Sequence, residues 1–133
     1  MTREFEVDER KLVLIPNGIN IEEFESLEKE TENDRKVILY VGRLEKYKGI
    51  DYLIRALPKL DEGIHFEIVG KGPHKKALAK LISRLGVAER IKFYQDLPRE
   101  ELLQKYAKAD LFVLLSRFEV YGISVAEALA SGT

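Results

Sequence analysis

The sequence has no cysteine and no tryptophan, and only two histidines, His65 and His74. The missing cysteines exclude disulfide bonds, thiolate zinc sites and a cysteine nucleophile. Two isolated histidines do not make a metal cluster, so no metal site is predicted. No apolar run approaches the roughly 18 to 20 residues of a membrane span, and the first residues lack the apolar core of a signal peptide. We therefore expect a cytoplasmic chain without membrane contact.

The charges of the sequence nearly balance. The 133 residues carry 22 Lys and Arg against 23 Asp and Glu, which gives a formal net charge of -1 at pH 7. Such a balance does not favour a nucleic acid as partner, so any anion site must be built by local loops. With 45% hydrophobic residues, a chain of this length fits one globular domain.

Four short apolar runs rich in β-branched and aromatic residues predict strands, at 37–41, 64–69, 91–94 and 111–115. Helical periodicity separates them, and a further helix is predicted at 123–130. The alternation predicts an α/β fold, a Rossmann-like parallel sheet in the order 3-2-1-4 with helices on both faces.

Punctuation residues predict the boundaries of these elements. Pro73 is expected at the first position of a helix that ends at Gly86. Residues 1–35, with the apolar run 12–15, are predicted to form an interdomain connection and linker. Residues 36–133 are then a Rossmann-like domain, and its ligand is expected at the carboxyl ends of the strands.

Two loops at predicted strand ends combine glycines with cations. The first contains Gly42, Arg43 and Lys48, and the second contains Gly70 and Lys71. Cationic side chains beside the start of a helix can bind a diphosphate. The unpaired amides of the first helical turn add partial positive charge to such a site. From spacing alone, a solvated loop and a tight turn remain open alternatives.

The loop after the fourth predicted strand carries two acids, Glu119 and Glu127, with seven residues between them. Both carboxylates can face one cleft, where each would accept hydroxyls of a ribose or a hexose. Ser124 and Glu127 also match a capping box, in which the glutamate reaches back to the serine amide. For Glu119, an exposed loop acid is the alternative.

Taken together, these segments resemble the C-terminal domain of retaining GT-B glycosyltransferases of family 4, a group close to glycogen synthases. The resemblance rests on Ile15–Asn20, Tyr40–Leu44 with Lys48 and Gly49, Ile68–Pro73, and the pair Glu119 and Glu127. It covers the chain from about residue 12 to its last residue. In two places the sequence departs from the family: Leu115 replaces a usual proline, and Gln95 and Asp96 replace a usual glycine.

The resemblance implies two sets of functional residues. The catalytic set is Arg43, Lys48 and Glu119. The donor-binding set is Gly42, Gly70, Lys71, Gly122, Ile123, Ser124 and Glu127. In the family, the two cations would hold the donor diphosphate, Glu127 would hold the ribose and Glu119 would contact the transferred sugar. No cofactor or metal is implied, and the donor would be a UDP-, GDP- or ADP-sugar.

The implied function is that of a donor-binding domain, which transfers a hexosyl group from a nucleoside-diphosphate sugar only together with an acceptor-binding N-terminal domain. That domain and the last strands of the half GT-B fold are expected to be missing from this sequence. A GT-B sugar-nucleotide epimerase and a non-catalytic interaction module remain as alternatives. An outer strand at 111–115 would lack a neighbour, so either the run 12–15 folds back onto the sheet or two chains form a homodimer through strand edges.

Overall fold

A four-stranded parallel sheet forms the centre of the molecule. The structure is a computed structural model, and it describes residues 8–25, 27 and 35–133. The strands are β1 (Lys36–Val41), β2 (Ile64–Val69), β3 (Ile91–Tyr94) and β4 (Leu111–Phe112). They lie in the order β3-β2-β1-β4 and every pair is parallel. The predicted α/β, Rossmann-like fold and its strand order are therefore confirmed.

Helices alternate with these strands. They are α1 (Ile50–Ala56), α2 (Lys75–Leu85), α3 (Arg99–Lys108) and α4 (Ile123–Ala130). Short 3₁₀ turns are found at Glu9–Lys11, Ile21–Phe24, Lys46–Lys48, Leu57–Lys59 and Ala88–Arg90. In the part of the chain that the structure describes, none of the helices has the length and hydropathy needed to cross a bilayer.

Side chains of β1 alternate between two apolar cores. Tyr40 and Phe66 pack with α1 and α2 on one face of the sheet, whereas Leu39 packs with Tyr106 and Ala128, from α3 and α4, on the other. Leu39 and Tyr40 are at most 1% exposed. Burial of each such side chain contributes about 1.5 to 3 kcal/mol, so β1 requires helices on both faces.

The second helix ends as predicted but starts later. Gly86 has a φ of 67° and closes α2 as its left-handed cap. The predicted start at Pro73 is wrong, since α2 begins at Lys75. The amide of His74 donates to the carbonyl of Leu44 at 2.9 Å, which holds the turn 72–74 against the neighbouring loop rather than in the helix.

The fourth strand is shorter than the predicted range 111–115. The amide of Val113 still donates to the carbonyl of Leu39 at 2.9 Å. Four residues later, the amide of Arg117 donates to the carbonyl of Tyr47 at 2.9 Å. The chain therefore leaves the edge of β1 to contact the 46–48 turn, and this contact ends the ladder.

The segment before β1 contacts the rest of the domain through Phe24 and Glu23. Phe24 is buried, and the carboxylate of Glu23 pairs with Arg99 of α3 at 2.9 Å. The run 12–15 is 51 to 94% exposed and forms no strand, so its expected return to the sheet is not found. The predicted homodimer through strand edges stays a prediction. Residues 1–7, 26 and 28–34 of the predicted linker lie outside the described residues.

Asp110 connects the amino ends of β1 and β4. Its carboxylate accepts from the Lys36 ammonium at 2.9 Å and from the Val37 amide at 2.8 Å. Burial raises the pKa of Asp110, but these hydrogen bonds outweigh burial and hold the pKa below its ordinary value. The folded state therefore favours the ionised form.

Replacing this carboxylate should destabilise the domain in a pH-dependent way. We expect Asp110→Ala to lower the free energy of unfolding by about 1 to 3 kcal/mol at neutral pH. Since the folded pKa is depressed, this contribution is fully present above the ordinary carboxyl pKa of about 4 and is lost as the pH falls below it. Urea unfolding at about pH 7 and about pH 3 measures both effects. Asp61→Ala is the control, because Asp61 is exposed. Equal losses of unfolding free energy in the two variants would contradict the stabilising role of the Asp110 carboxylate.

Candidate functional site

A cleft of about 430 Å³ opens at the carboxyl ends of β1 and β4. Seven of the predicted site residues line it: Gly42, Lys48, Glu119, Gly122, Ile123, Ser124 and Glu127. Its other lining residues are Asn17, Val41, Leu114, Val120 and Tyr121. The sheet topology therefore brings together side chains and amides that are far apart in the sequence.

Three predicted site residues do not line this cleft. The side chain of Arg43 is 76% exposed and pairs with Glu45 at 3.0 Å. Lys71 points to Asp96, with 2.8 Å between its ammonium and that carboxylate. At Gly70, a Cβ atom would overlap the carbonyl oxygen of Gly42, so this glycine allows two strand-end loops to approach closely. Their roles in binding a donor stay predictions.

Lys48 and Glu119 form an ion pair whose two members both line the cleft. The ammonium and the carboxylate are 2.6 Å apart, and the Lys48 side chain is only 12% exposed. The hydroxyl of Ser116 also donates to the Glu119 carboxylate at 3.2 Å. The hydrogen bond from Lys48 is the main reason that the pKa of Glu119 lies below its ordinary value. The acid is therefore an ionised acceptor, and the cation is held beside the cleft.

Glu127 is a buried carboxylate with two partners from α3. The hydroxyl of Tyr106 donates to its Oε2 at 2.8 Å, and the guanidinium of Arg99 donates to its Oε1. Arg99 also binds Glu23, so one side chain connects the preceding segment to the cleft. The predicted alternative of a capping box is wrong, because the Glu127 side chain bonds to α3 and α4 has no side-chain cap.

Helix α4 begins at the cleft with uncapped amides. Gly122 precedes the helix with a φ of 75°, a left-handed conformation that glycine adopts without strain. The amides of Ile123 and Ser124 belong to the first helical turn, where no intrahelical acceptor is available. They carry the partial positive charge of the helix start, which suits an anion in the cleft.

Two tyrosines fix the backbone around the cleft. The hydroxyl of Tyr40 donates to the carbonyl of Arg43 at 2.9 Å and holds the loop after β1. The hydroxyl of Tyr121 donates to the carbonyl of Asn17 at 2.6 Å. The segment 16–18 is thereby held against the 116–122 loop, although residues 12–15 before it are exposed.

Within the described ranges, no three acidic or histidine side chains gather in the arrangement of a metal site. The positive groups at the cleft are instead Lys48 and the start of α4.

Comparison with known proteins places the chain in a family. The family model for glycosyl transferases group 1 matches residues 22–133. The chain belongs to the glycosyl transferases group 1 family. The match includes every residue of the predicted site, from Gly42 to Glu127.

Relatives of this group 1 domain include named transferases. An uncharacterized glycosyltransferase of Methanocaldococcus jannaschii is 38% identical over an alignment of 142 positions, and the alignment covers 97% of this chain and 36% of that protein. A GDP-mannose-dependent alpha-(1-6)-phosphatidylinositol monomannoside mannosyltransferase of Mycolicibacterium smegmatis is 41% identical over 95 residues. This alignment covers 69% of this chain and 25% of that protein. The chain therefore spans about a quarter to a third of the length of these relatives.

Among solved structures, an Anabaena protein in complex with UDP and glucose is similar to the group 1 domain. Its TM-score is 0.78 at 26% identity, and the likeness covers 88% of this chain and 35% of that one.

The buried hydrogen bond from Tyr106 to Glu127 should contribute to the stability of this group 1 domain. Burial above all, and then the Glu127 carboxylate, raise the pKa of Tyr106. We expect Tyr106→Phe to lower the free energy of unfolding by about 1.5 to 3 kcal/mol, because the buried carboxylate loses a donor. Stability that depends on the protonated phenol is present below the ordinary tyrosine pKa of about 10 and is lost as the pH rises above it.

Chemical unfolding at about pH 7 and about pH 10.5 measures this difference. Tyr47→Phe is the matched control, because the Tyr47 ring is exposed. A Tyr106→Phe variant as stable as the control at neutral pH would show that the hydroxyl does not support Glu127.

Proposed function

We propose that this chain is the sugar-nucleotide donor-binding domain of a retaining glycosyltransferase of family 4. The parent enzyme would transfer a hexosyl group from a nucleoside-diphosphate sugar to an acceptor. The observation that carries the proposal is the cleft itself, where Lys48, two carboxylates and the start of α4 face the same space.

The diphosphate would lie between Lys48 and the first amides of α4. Lys48 would exchange its contact with Glu119 for a phosphate oxygen, and the exposed side chain of Arg43 would rotate away from Glu45. Exposed pairs of this kind contribute little, so the rotation of Arg43 costs little. Two cations and a helix start would stabilise the charge that develops on the departing nucleoside diphosphate, so this account needs no metal ion.

The two carboxylates would hold the two ends of the donor. Glu127 is fixed by Tyr106 and Arg99, and its oxygens have further lone pairs for the ribose hydroxyls. Glu119, released from Lys48, would accept hydroxyls of the transferred sugar. Retention of configuration is explained by attack on the same face as the leaving group, so no side chain is assigned as a nucleophile.

The relatives support a sugar nucleotide as the ligand class but not one base. The Anabaena protein was crystallised with UDP and glucose, whereas the Mycolicibacterium relative is named for GDP-mannose. The proposed donor is therefore a nucleoside-diphosphate sugar, without an assignment of its base. The acceptor-binding site would be supplied by the remaining length of the parent protein, and the chain by itself should bind a donor without transferring the sugar.

Calorimetric titration with UDP, GDP and ADP, each beside its nucleoside, tests the proposal. We expect one diphosphate to bind, and Lys48→Ala to weaken it about tenfold or more while changing nucleoside binding little. The loss arises because the variant removes a charged donor and leaves Glu119 unpaired beside the phosphates.

Lys59→Ala is the control, because Lys59 is exposed and does not line the cleft. Its diphosphate affinity should stay within about twofold of the wild type. Absence of binding for all three diphosphates, or equal losses for the two lysine variants, would contradict the proposal.

A further inference from the structure

A second and larger cavity lies outside the proposed donor cleft. It is a groove of about 690 Å³ between α1 and α2, a size typical of small-molecule sites. Apolar side chains of α2, including Leu78 and Leu81, contribute to its lining. The donor cleft uses none of these residues.

The groove concentrates positive charge in a chain that is nearly neutral overall. Five cationic side chains line it: Lys46, Arg55, Lys80, Arg84 and Arg117. The two carboxylates in the lining are both engaged, Glu45 by Arg43 at 3.0 Å and Asp51 by Arg55 at 3.9 Å. The ion pairs found within residues 8–25, 27 and 35–133 do not include Lys46, Lys80 or Arg84.

Two aromatic rings accompany these cations. Tyr47 and Tyr52 line the groove and are 43% and 51% exposed. The guanidinium of Arg117 lies 6.0 Å from the centre of the Tyr52 ring and donates to its hydroxyl at 2.7 Å. An exposed ring beside a guanidinium provides a surface on which a flat or sugar ring can pack.

The same two segments build the groove and the donor cleft. In the 46–48 turn, Tyr47 lines the groove and Lys48 lines the cleft. In the loop after β4, Arg117 lines the groove and Glu119 lines the cleft. The hydrogen bond from the Arg117 amide to the Tyr47 carbonyl connects the two segments, so the wall of the groove is ordered before any ligand binds.

We propose that this groove binds a small phosphate ester that carries a ring, at a site separate from the donor cleft. Lys80 and Arg84 of α2 would hold the phosphate with Lys46, and Tyr52 would pack against the ring. A long polyanion fits this surface less well, because the groove is of small-molecule size and the net charge of the chain is -1.

Phenyl phosphate and inorganic phosphate are the probes for a nuclear magnetic resonance titration of the backbone amides. We expect phenyl phosphate to shift the amides around Tyr52 and Arg84, and to bind more tightly than inorganic phosphate. Lys80→Ala with Arg84→Ala should weaken phenyl phosphate about tenfold. Tyr52→Ala should remove the preference for phenyl phosphate over inorganic phosphate.

The control is Lys59→Ala with Lys76→Ala, which removes two exposed charges outside the groove. It should change the affinity for phenyl phosphate by less than about twofold. Equal losses for the two double variants, or shifts confined to residues 122–124, would overturn the proposal. Affinity for nucleoside diphosphates, measured on the same groove variant, should be unchanged, which separates failure of this site from failure of the donor cleft.

Discussion

Strand β1 is paired on both edges and covered on both faces, and the rest of the structure depends on this position. β2 and β4 bind its two edges, while Leu39 and Tyr40 are buried in opposite cores. After Lys36 at its amino end, β1 carries no charged residue, and the charged groups of the cleft lie where the strand ends. Gly42, which follows β1, and the loop that follows β4 therefore line the same cleft.

Charges at the cleft are neutralised within the protein before any ligand binds. Lys48 is paired with Glu119, and Glu127 is held by Arg99 and Tyr106. Leaving a nearly buried charge without a partner is costly, so these pairs maintain the geometry of the site. Because Lys48 is paired with Glu119, an anion that binds in the cleft must compete with that carboxylate for the Lys48 ammonium. By contrast, the carboxylates that line the groove between α1 and α2 are outnumbered by its cations.

Much of this arrangement could be predicted from the sequence, because it follows from local patterns. Apolar runs and turn residues indicated the strands and the α4 helix, and the alternation of strands and helices indicated the strand order. Of the ten site residues that the family resemblance implied, seven line the cleft. The direction of Arg43 could not be predicted, since Glu45 two residues away competes for its guanidinium.

The side-chain partners of Glu127 could not be predicted from the sequence either, because they lie far from it along the chain. Arg99 and Tyr106 reach Glu127 across 28 and 21 positions, and no local spacing indicates such a contact. The capping-box pattern at Ser124 pointed instead to a local partner. Asp96 adopts a φ of 52°, which explains why glycine is usual there and why aspartate, a residue that tolerates this conformation, can replace it.

The proposed binding of a nucleoside diphosphate at the start of α4 can be measured by backbone amide shifts in a nuclear magnetic resonance titration with that ligand. We expect the largest shifts at Ile123, Ser124 and Gly42, with smaller changes at Lys48 and Glu119. Shifts concentrated in the groove around Tyr52, or spread evenly over exposed lysines, would contradict it.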